Sequence, residues 1–349
     1  MKTAFASRIV RWQRLYGRHD LPWQAGCDPY PLWLSEIMLQ QTQVTTALGY
    51  FSRFMARFPD VRSLAAASLD EVLSLWAGLG YYARARNLHA SARKVATELG
   101  GRFPETAAGL VELPGIGRST AAAIAVFAYG ERAAILDGNV KRVLCRYFAI
   151  EGVPTGQREK DLWTLAESLL PTAADMRAYT QGLMDLGATR CVRKNPRCAD
   201  CPLAEDCLAR QQGRVETLPT PRARTEKPRR SAIFLLITDG EHILLQRRPP
   251  VGVWGGLFCL PEGLALLRQF GLSDCVCRDL PPREHVFTHF RLEIRPVLCR
   301  IAKMPVFAGE SGLECLSLQE AARAGIPAPV ARLLGELEGQ EPDSDGRSG

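Results

Sequence analysis

Apolar residues recur at helical spacing through the first part of the chain and in strand-like runs beyond about residue 230. Phe5, Ile9, Trp12 and Tyr16 mark one helical face, with Gly17 where a helix would stop. Prolines in Asp20-Leu-Pro-Trp23 and Cys27-Asp-Pro-Tyr-Pro31 predict an ordered loop carrying Leu21 and Trp23. Pro31 is suited to the first turn of a helix running to Val44, with Trp33, Ile37 and Val44 as its buried stripe. Helical periodicity continues through Val44–Phe58, Ser68–Trp76, Tyr82–Leu99, Asn139–Ala149, Leu162–Leu170 and Tyr179–Leu186, so this region reads as all-α. Ala232–Ile237, His242–Arg247 and Leu292–Leu298 read as strands between turn signals, and an α+β region is expected there. The pattern divides the chain into an all-α part at 1–213, a basic, proline-rich linker at 214–230, an α+β part at 231–337 and a polar tail at 338–349 expected to be disordered.

Composition narrows the function. At roughly 100 to 200 residues per domain, 349 residues suggest two or three domains with cores of their own. A net charge of +7 points to an anionic partner. No apolar leader and no segment long enough to span a membrane is visible, so a cytoplasmic protein without membrane association is expected. The 11 cysteines are an odd number, and four crowd into one short stretch. That usage fits a reducing compartment with a metal site better than a disulfide framework.

Several short stretches carry chemistry. In Leu113-Pro-Gly-Ile-Gly117 the proline and glycines interrupt two helical patterns, with the second restarting over Thr120–Val126. Such a hairpin lets backbone N–H groups near Gly115 and Gly117 approach a phosphate; an ordinary helix-to-helix turn is the competing reading. Asp137 follows shortly after, where it either caps a helix or presents a carboxylate. Glu36 sits in a stretch poor in charge, where burial would raise its pKa and keep it protonated as a general acid. A solvated helix residue is the alternative, and the pattern alone favours it. Gly78-Leu-Gly-Tyr-Tyr82, beside Arg84 and Arg86, presents two aromatics suited to wedging between bases, with core packing the alternative for Tyr82. Cys191, Cys198, Cys201 and Cys207 follow the pattern C-x6-C-x2-C-x5-C, a donor set for a cubane iron–sulfur cluster or structural zinc. Arg190, Arg193, Lys194 and Arg197 beside it suggest a basic surface for phosphates.

The hairpin, Asp137 and the four cysteines together resemble the helix-hairpin-helix iron–sulfur DNA glycosylases, over roughly residues 5–210. In that superfamily, members that also cut the DNA backbone carry a lysine at the position of Ser119. The resemblance therefore implies a monofunctional enzyme with water as the final attacker, while Lys141 nearby leaves room for weak lyase activity. Leu34-Ser-Glu-Ile-Met-Leu-Gln-Gln-Thr-Gln-Val44 and the C-terminal extension resemble MutY-type adenine DNA glycosylases specifically. That likeness implies a 4Fe–4S cluster on the four cysteines and double-stranded DNA with adenine opposite 8-oxoguanine or guanine as partner, bound by a monomer. It also implies that Glu36 protonates adenine N7, that Asp137, expected to stay ionised, stabilises an oxocarbenium-like sugar, and that Asn139 supports the pair. Leu21, Trp23 and Gln181 are implied around the adenine, Gln41 near the flipped nucleotide and Tyr81 as the wedge. Many relatives place a tyrosine where this chain has Ser119.

Arg247–Phe258 and Leu260-Pro-Glu-Gly263 resemble the Nudix hydrolase fold, yet residues 264–280 contain no glutamate. Asp274 and Asp279 do not reproduce the oxygen cage of those enzymes, so a binding module is expected. Phe287-Thr288-His289 stands where the family reads 8-oxoguanine through Phe-Ser-His, the threonine keeping the hydroxyl and adding a methyl. A core histidine on a strand is the alternative for His289.

Overall fold

The computed structural model describes residues 2–223, 226–272, 275–304 and 312–338. The polar tail from residue 339 onward and Asp274 lie outside them. Two compact units form, one from residues 2–66 with 87–223 and the other from 67–86 with 226–338. The early segment 67–86 groups with the α+β unit, which chain order alone does not suggest. Residues read as linker are partly structured. Leu218 is buried, its carbonyl accepting from Arg146 Nε at 2.9 Å, and Arg229 and Arg230 begin a strand.

The helices are α1 (Lys2–Tyr16), α2 (Pro29–Leu39), α3 (Val44–Arg57), α4 (Val61–Ala66), α5 (Leu69–Trp76), α6 (Ala83–Glu98), α7 (Ala107–Leu110), α8 (Arg118–Ile124), α9 (Gly138–Tyr147), α10 (Gln157–Ser168), α11 (Met176–Thr189) and α12 (Leu208–Gln211). In the first unit, Phe5 and Ile9 of α1 pack with Tyr147 and Val143 of α9 and Leu183 of α11 in one core. Its described residues include no strand.

Two local departures shape the site. Helix α2 begins at Pro29, two residues earlier than the sequence suggests. Asp28 caps it by accepting from Tyr30 N at 2.9 Å, and both prolines sit in the first turn, where their missing N–H groups leave no bond unmade. The helix also stops at Leu39 instead of reaching Val44, because Gln41 takes a φ of 58° and the chain restarts as α3. Helix α8 starts at Arg118, two residues before the expected restart, and widens into a π turn over Ala125–Tyr129 closed by left-handed Gly130.

The second unit contains a mixed sheet of β1 (Arg229–Thr238), β2 (His242–Arg247), β3 (Phe258–Cys259), β4 (Val276–Asp279), β5 (Arg283–Val286), β6 (Arg291–Arg300) and β7 (Leu313–Ser317), with α13 (Ala265–Gln269), α14 (Leu318–Arg323) and α15 (Ala328–Glu338). Strands β1 and β6 run parallel from Arg229 opposite Arg291 to Thr238 opposite Arg300. Helix α13 spans five residues, Ala-Leu-Leu-Arg-Gln, without a carboxylate. Residues 67–86 dock within this unit through Arg247, whose guanidinium pairs with both oxygens of Asp70 at 2.6 and 2.9 Å, through Arg86 Nη1 donating to Gly255 O at 2.6 Å, and through Tyr82 OH donating to Ile326 O. Tyr82 is thus buried while Tyr81 remains 48% exposed.

Candidate active site

A cavity of about 290 Å³ opens in the first unit, close to the roughly 300 Å³ at which small-ligand sites begin and large enough for one flat base. Leu21 and Trp23 form one wall, Gln181 and Met184 another, and Glu36 contributes a carboxyl group. Trp23 is held edge-on against Phe51, with ring centroids 5.2 Å apart. Ser35, buried next to Glu36, turns its hydroxyl back to Leu32 O at 2.8 Å, within its own helix.

Glu36 is strongly perturbed. Burial raises it from 4.5 to about 8, and the neighbouring negative charge of Asp137 pushes in the same direction. Asp137, expected to stay ionised, is raised by burial as well. Its backbone N–H partners at Val140 and Asn139 and the charge of Arg142 pull the other way. Raised to about 8, Glu36 keeps its proton at neutral pH.

Asp137 also caps α9, accepting from Val140 N at 2.8 Å, as the capping reading of the sequence expects. Ser119 fixes the segment leading to it, its hydroxyl accepting from Leu136 N at 3.0 Å. A lysine at 119 would remove that acceptor. Asn139 Nδ2 lies 3.4 Å from Asp137 Oδ2, and its carbonyl oxygen accepts from Arg142 Nη2 at 2.8 Å. Gly187 lets Asn139 sit this close to α11, since a Cβ at 187 would meet Asn139 Cβ at 2.5 Å. The Lys141 ammonium is held by Glu159 at 2.6 Å, away from the carboxyl pair's hydrogen bonds.

Residues that sequence reasoning did not single out complete the geometry. Asp185, 1% exposed, accepts from Arg18 Nε at 2.7 Å and from Gln181 Nε2 at 2.8 Å. Because a carboxylate only accepts, Gln181 must donate through its amide nitrogen, which leaves its carbonyl oxygen for the cavity. Arg142 and Arg146, one turn apart on α9, connect Asp137 to the cysteine loop. Arg142 donates to Cys191 O and Gly187 O, each at 2.7 Å, and buried Arg146 reaches Val192 O at 2.7 Å, Arg193 O at 3.0 Å and Cys191 Sγ at 3.4 Å. Two arginines at helical spacing on an otherwise apolar face are the trace they leave in the sequence.

The four loop cysteines suit a cluster. Burial pushes Cys201 up to about 12 and raises Cys198 and Cys207, with neighbouring thiolates adding to each, so four thiolates here require a cation. Among the described residues, three or more potential ligand atoms lie within 4.8 Å of one another at Cys275, Cys277 and Cys299, not in this loop. The all-sulfur donor set of the loop suits either an iron–sulfur cluster or structural zinc. Arg193, Lys194 and Arg197 are exposed around it.

The hairpin has the features of a backbone clamp. Gly115 takes φ 79° with Asn87 so near that a Cβ would meet it at 2.7 Å, whereas Gly117 at the start of α8 faces open space. Ser91 donates to Pro114 O at 2.8 Å, and Gln40 lies 3.5 Å from Gly115 O and 3.4 Å from Thr120 Oγ1. Gln41, exposed, and Tyr81, in the second unit, both hold left-handed backbones, at φ 58° and 50°. Non-glycine residues adopt that strained region where surroundings impose it, often at ligand contacts.

In the second unit, Phe287-Thr288-His289-Phe290 forms the hairpin between β5 and β6. Phe287 stacks on Phe290 at 4.4 Å and closes the turn by donating from its backbone N to Phe290 O at 2.9 Å. Trp254, itself at φ 54°, and His285 pack around Phe287 at 5.4 and 4.6 Å. Thr288 and His289 are exposed at the tip, so His289 is not a core histidine.

Residues 34–168 match the HhH-GPD superfamily of base excision DNA repair proteins, and residues 232–336 match the NUDIX domain. An adenine DNA glycosylase of Buchnera aphidicola subsp. Acyrthosiphon pisum (strain APS) is 37% identical over 341 residues, covering 95% of this chain and 97% of that protein. The adenine DNA glycosylase of Homo sapiens is 34% identical over 411 residues, covering 97% of this chain and 75% of its own. Among solved structures, a thermostable thymine-DNA glycosylase aligns with a TM-score of 0.54 and 30% identity, over 60% of this chain and 97% of that one. A trapped endonuclease III–DNA covalent intermediate shares the fold at a TM-score of 0.52 and 19% identity, over 61% of this chain and 98% of that one. No described helix is long and apolar enough to cross a membrane. With an HhH-GPD region, a Nudix-like module and adenine DNA glycosylase relatives matched over nearly the whole chain, the protein belongs to the MutY-type adenine DNA glycosylases, DNA-binding enzymes that hydrolyse N-glycosyl bonds.

Proposed function

We propose that the protein removes adenine mispaired with 8-oxoguanine, or with guanine, from double-stranded DNA as a monofunctional glycosylase. The observation that carries the reading is the cavity in which a carboxyl group raised to about 8 meets Leu21, Trp23 and an oriented Gln181. Adenine must leave the stack to reach such a cavity, at a cost of a few kcal/mol that a mispair lowers. Trp23 and Leu21 then cover the base faces, and the Gln181 carbonyl accepts from the exocyclic amine. Protonated Glu36 donates to N7, and the glycosidic bond breaks with its electron pair leaving on the base. The Asp137 carboxylate opposes the positive charge that develops on the sugar. Water adds at C1′ and its proton passes to the Glu36 carboxylate, which restores the acid. Ser119 supplies no amine, so the backbone stays intact.

The remaining residues act in binding. Amides at Gly115 and Gly117 hold a phosphate, Tyr81 fills the gap beside the lesion and Gln41 contacts the flipped nucleotide. Phe287, Thr288 and His289 read the 8-oxoguanine strand from their exposed hairpin. The four loop cysteines hold a 4Fe–4S cluster whose basic surround meets the backbone, and Arg142 and Arg146 tie that loop to Asp137. Carboxylate-free α13 supports a module that binds without hydrolysing nucleotides.

The test incubates the purified enzyme with duplexes carrying adenine opposite 8-oxoguanine, adenine opposite guanine, or thymine glycol. The reading expects free adenine and strand breaks that appear only after alkali. Breakage at thymine glycol without alkali contradicts it.

A further inference from the structure

Strand pairing in the second unit collects three thiols from separate parts of the chain. Cys277 on β4 and Cys299 on β6 are register partners, with their sulfurs 3.0 Å apart. Cys275, two positions before Cys277, brings its sulfur to 3.4 Å from that of Cys277. All three sulfurs lie within 4.8 Å of one another. Cys299 is buried in a cluster with Leu235, Ile237, Leu244 and Val297, Cys275 packs against the same cluster, and Cys277 is exposed. The result is a small sulfur-lined cradle with an aliphatic floor and one open side.

We propose that Cys275, Cys277 and Cys299 form a second metal site, a three-thiolate cradle for a soft divalent cation of the zinc class, distinct from the four-cysteine loop. An all-sulfur donor set selects thiophilic cations over magnesium or calcium, which require oxygen ligands. Thiolates about 2.3 Å from zinc stand roughly 3.8 Å apart, so Cys277 and Cys299 need separate by less than about 1 Å. Rotation of their side chains supplies that while the strands stay in register. As the cation binds, each thiol releases its proton to solvent, and water takes the fourth position on the open side. The site joins β4, an edge strand exposed at all four positions, to β6. A disulfide between two of these cysteines would leave the third without a role, whereas one cation engages all three.

The test uses the full-length, iron-loaded enzyme kept reduced, equilibrated with zinc and freed of excess, with zinc and iron quantified together. The proposal expects about one zinc per chain in the wild type. Cys277→Ser, at an exposed position, should bind zinc about tenfold more weakly or worse at unchanged iron content. Cys27→Ser, an exposed cysteine in the other unit, should keep the wild-type zinc content and affinity. Equal zinc affinity in the wild type and Cys277→Ser overturns the proposal, as does a reduced wild type that takes up no zinc. A covalently linked Cys277–Cys299 peptide in reduced protein offered zinc also overturns it.

Discussion

The cavity and the β5–β6 hairpin tip, both recognition sites in the proposed function, are built in opposite ways. The cavity draws Leu21, Trp23, Glu36 and Gln181 from three stretches of chain and withdraws a carboxyl group from water, and its polar groups are fixed from behind by Asp185 and Arg18. The tip consists of consecutive residues shaped by a stack of Phe287 on Phe290, and it leaves Thr288 and His289 in solvent. Proton donation at neutral pH requires a carboxyl group lifted well above its usual range, and at Glu36 burial is the larger cause, with the charge of Asp137 adding to it. Reading a base requires groups that the base can reach. On the proposed function, chemistry and recognition thus impose contrary demands on exposure, and the two are carried by separate units.

That contrast can be broken at several points. The largest effect is expected at the carboxyl pair, where Asp137→Asn should slow single-turnover adenine release by about 10³-fold, from lost stabilisation of the sugar cation. Asparagine still caps α9, so circular dichroism should report an unchanged fold. Next, Arg146→Ala removes donors from Val192, Arg193 and Leu218 carbonyls and should destabilise the first unit by on the order of 3 kcal/mol, with iron lost from the cysteine loop, read by thermal melting and iron content. At the tip, His289→Ala should lower the preference for adenine opposite 8-oxoguanine over adenine opposite guanine by roughly tenfold, with the rate constant for bound substrate nearly unchanged. This substitution is cleaner than deleting the second unit, because residues 67–86 pack within it and Leu73 lies against Gly325.

The smallest effect is one of stability. Folded Glu36 keeps its proton up to about 8, whereas the unfolded chain releases it near 4.5, so the folded state binds more protons between these values. Stability therefore falls as pH rises through that window, and Glu36→Gln should flatten this part of the pH–stability curve measured by denaturant melts.

Much of this was legible from the residues. The hairpin, the four-cysteine spacing and the helical periodicities are local patterns, and the structure forms the corresponding elements with boundaries shifted by a few residues. Helix α2 begins early because two prolines read as breakers are harmless in a first turn, and it ends early because Gln41 turns left-handed, which no periodicity encodes. Strands β4 and β5 went unseen because they are short and mostly exposed, without an alternating pattern. Asp185, Arg142 and Arg146 act through partners distant in sequence, and so does the grouping of residues 67–86 with the second unit. The cradle of Cys275, Cys277 and Cys299 depends on the register between β4 and β6, which cysteine spacing alone does not contain.

The central claim is that a buried, protonated Glu36 delivers the proton that releases adenine. Its most direct test measures single-turnover base release by Glu36→Gln alongside affinity for a duplex carrying adenine opposite 8-oxoguanine. The account predicts a loss of about 10² to 10⁴-fold in base release with duplex affinity nearly unchanged, while the wild-type rate declines as pH rises through about 8. Base release by Glu36→Gln at the wild-type rate would contradict it.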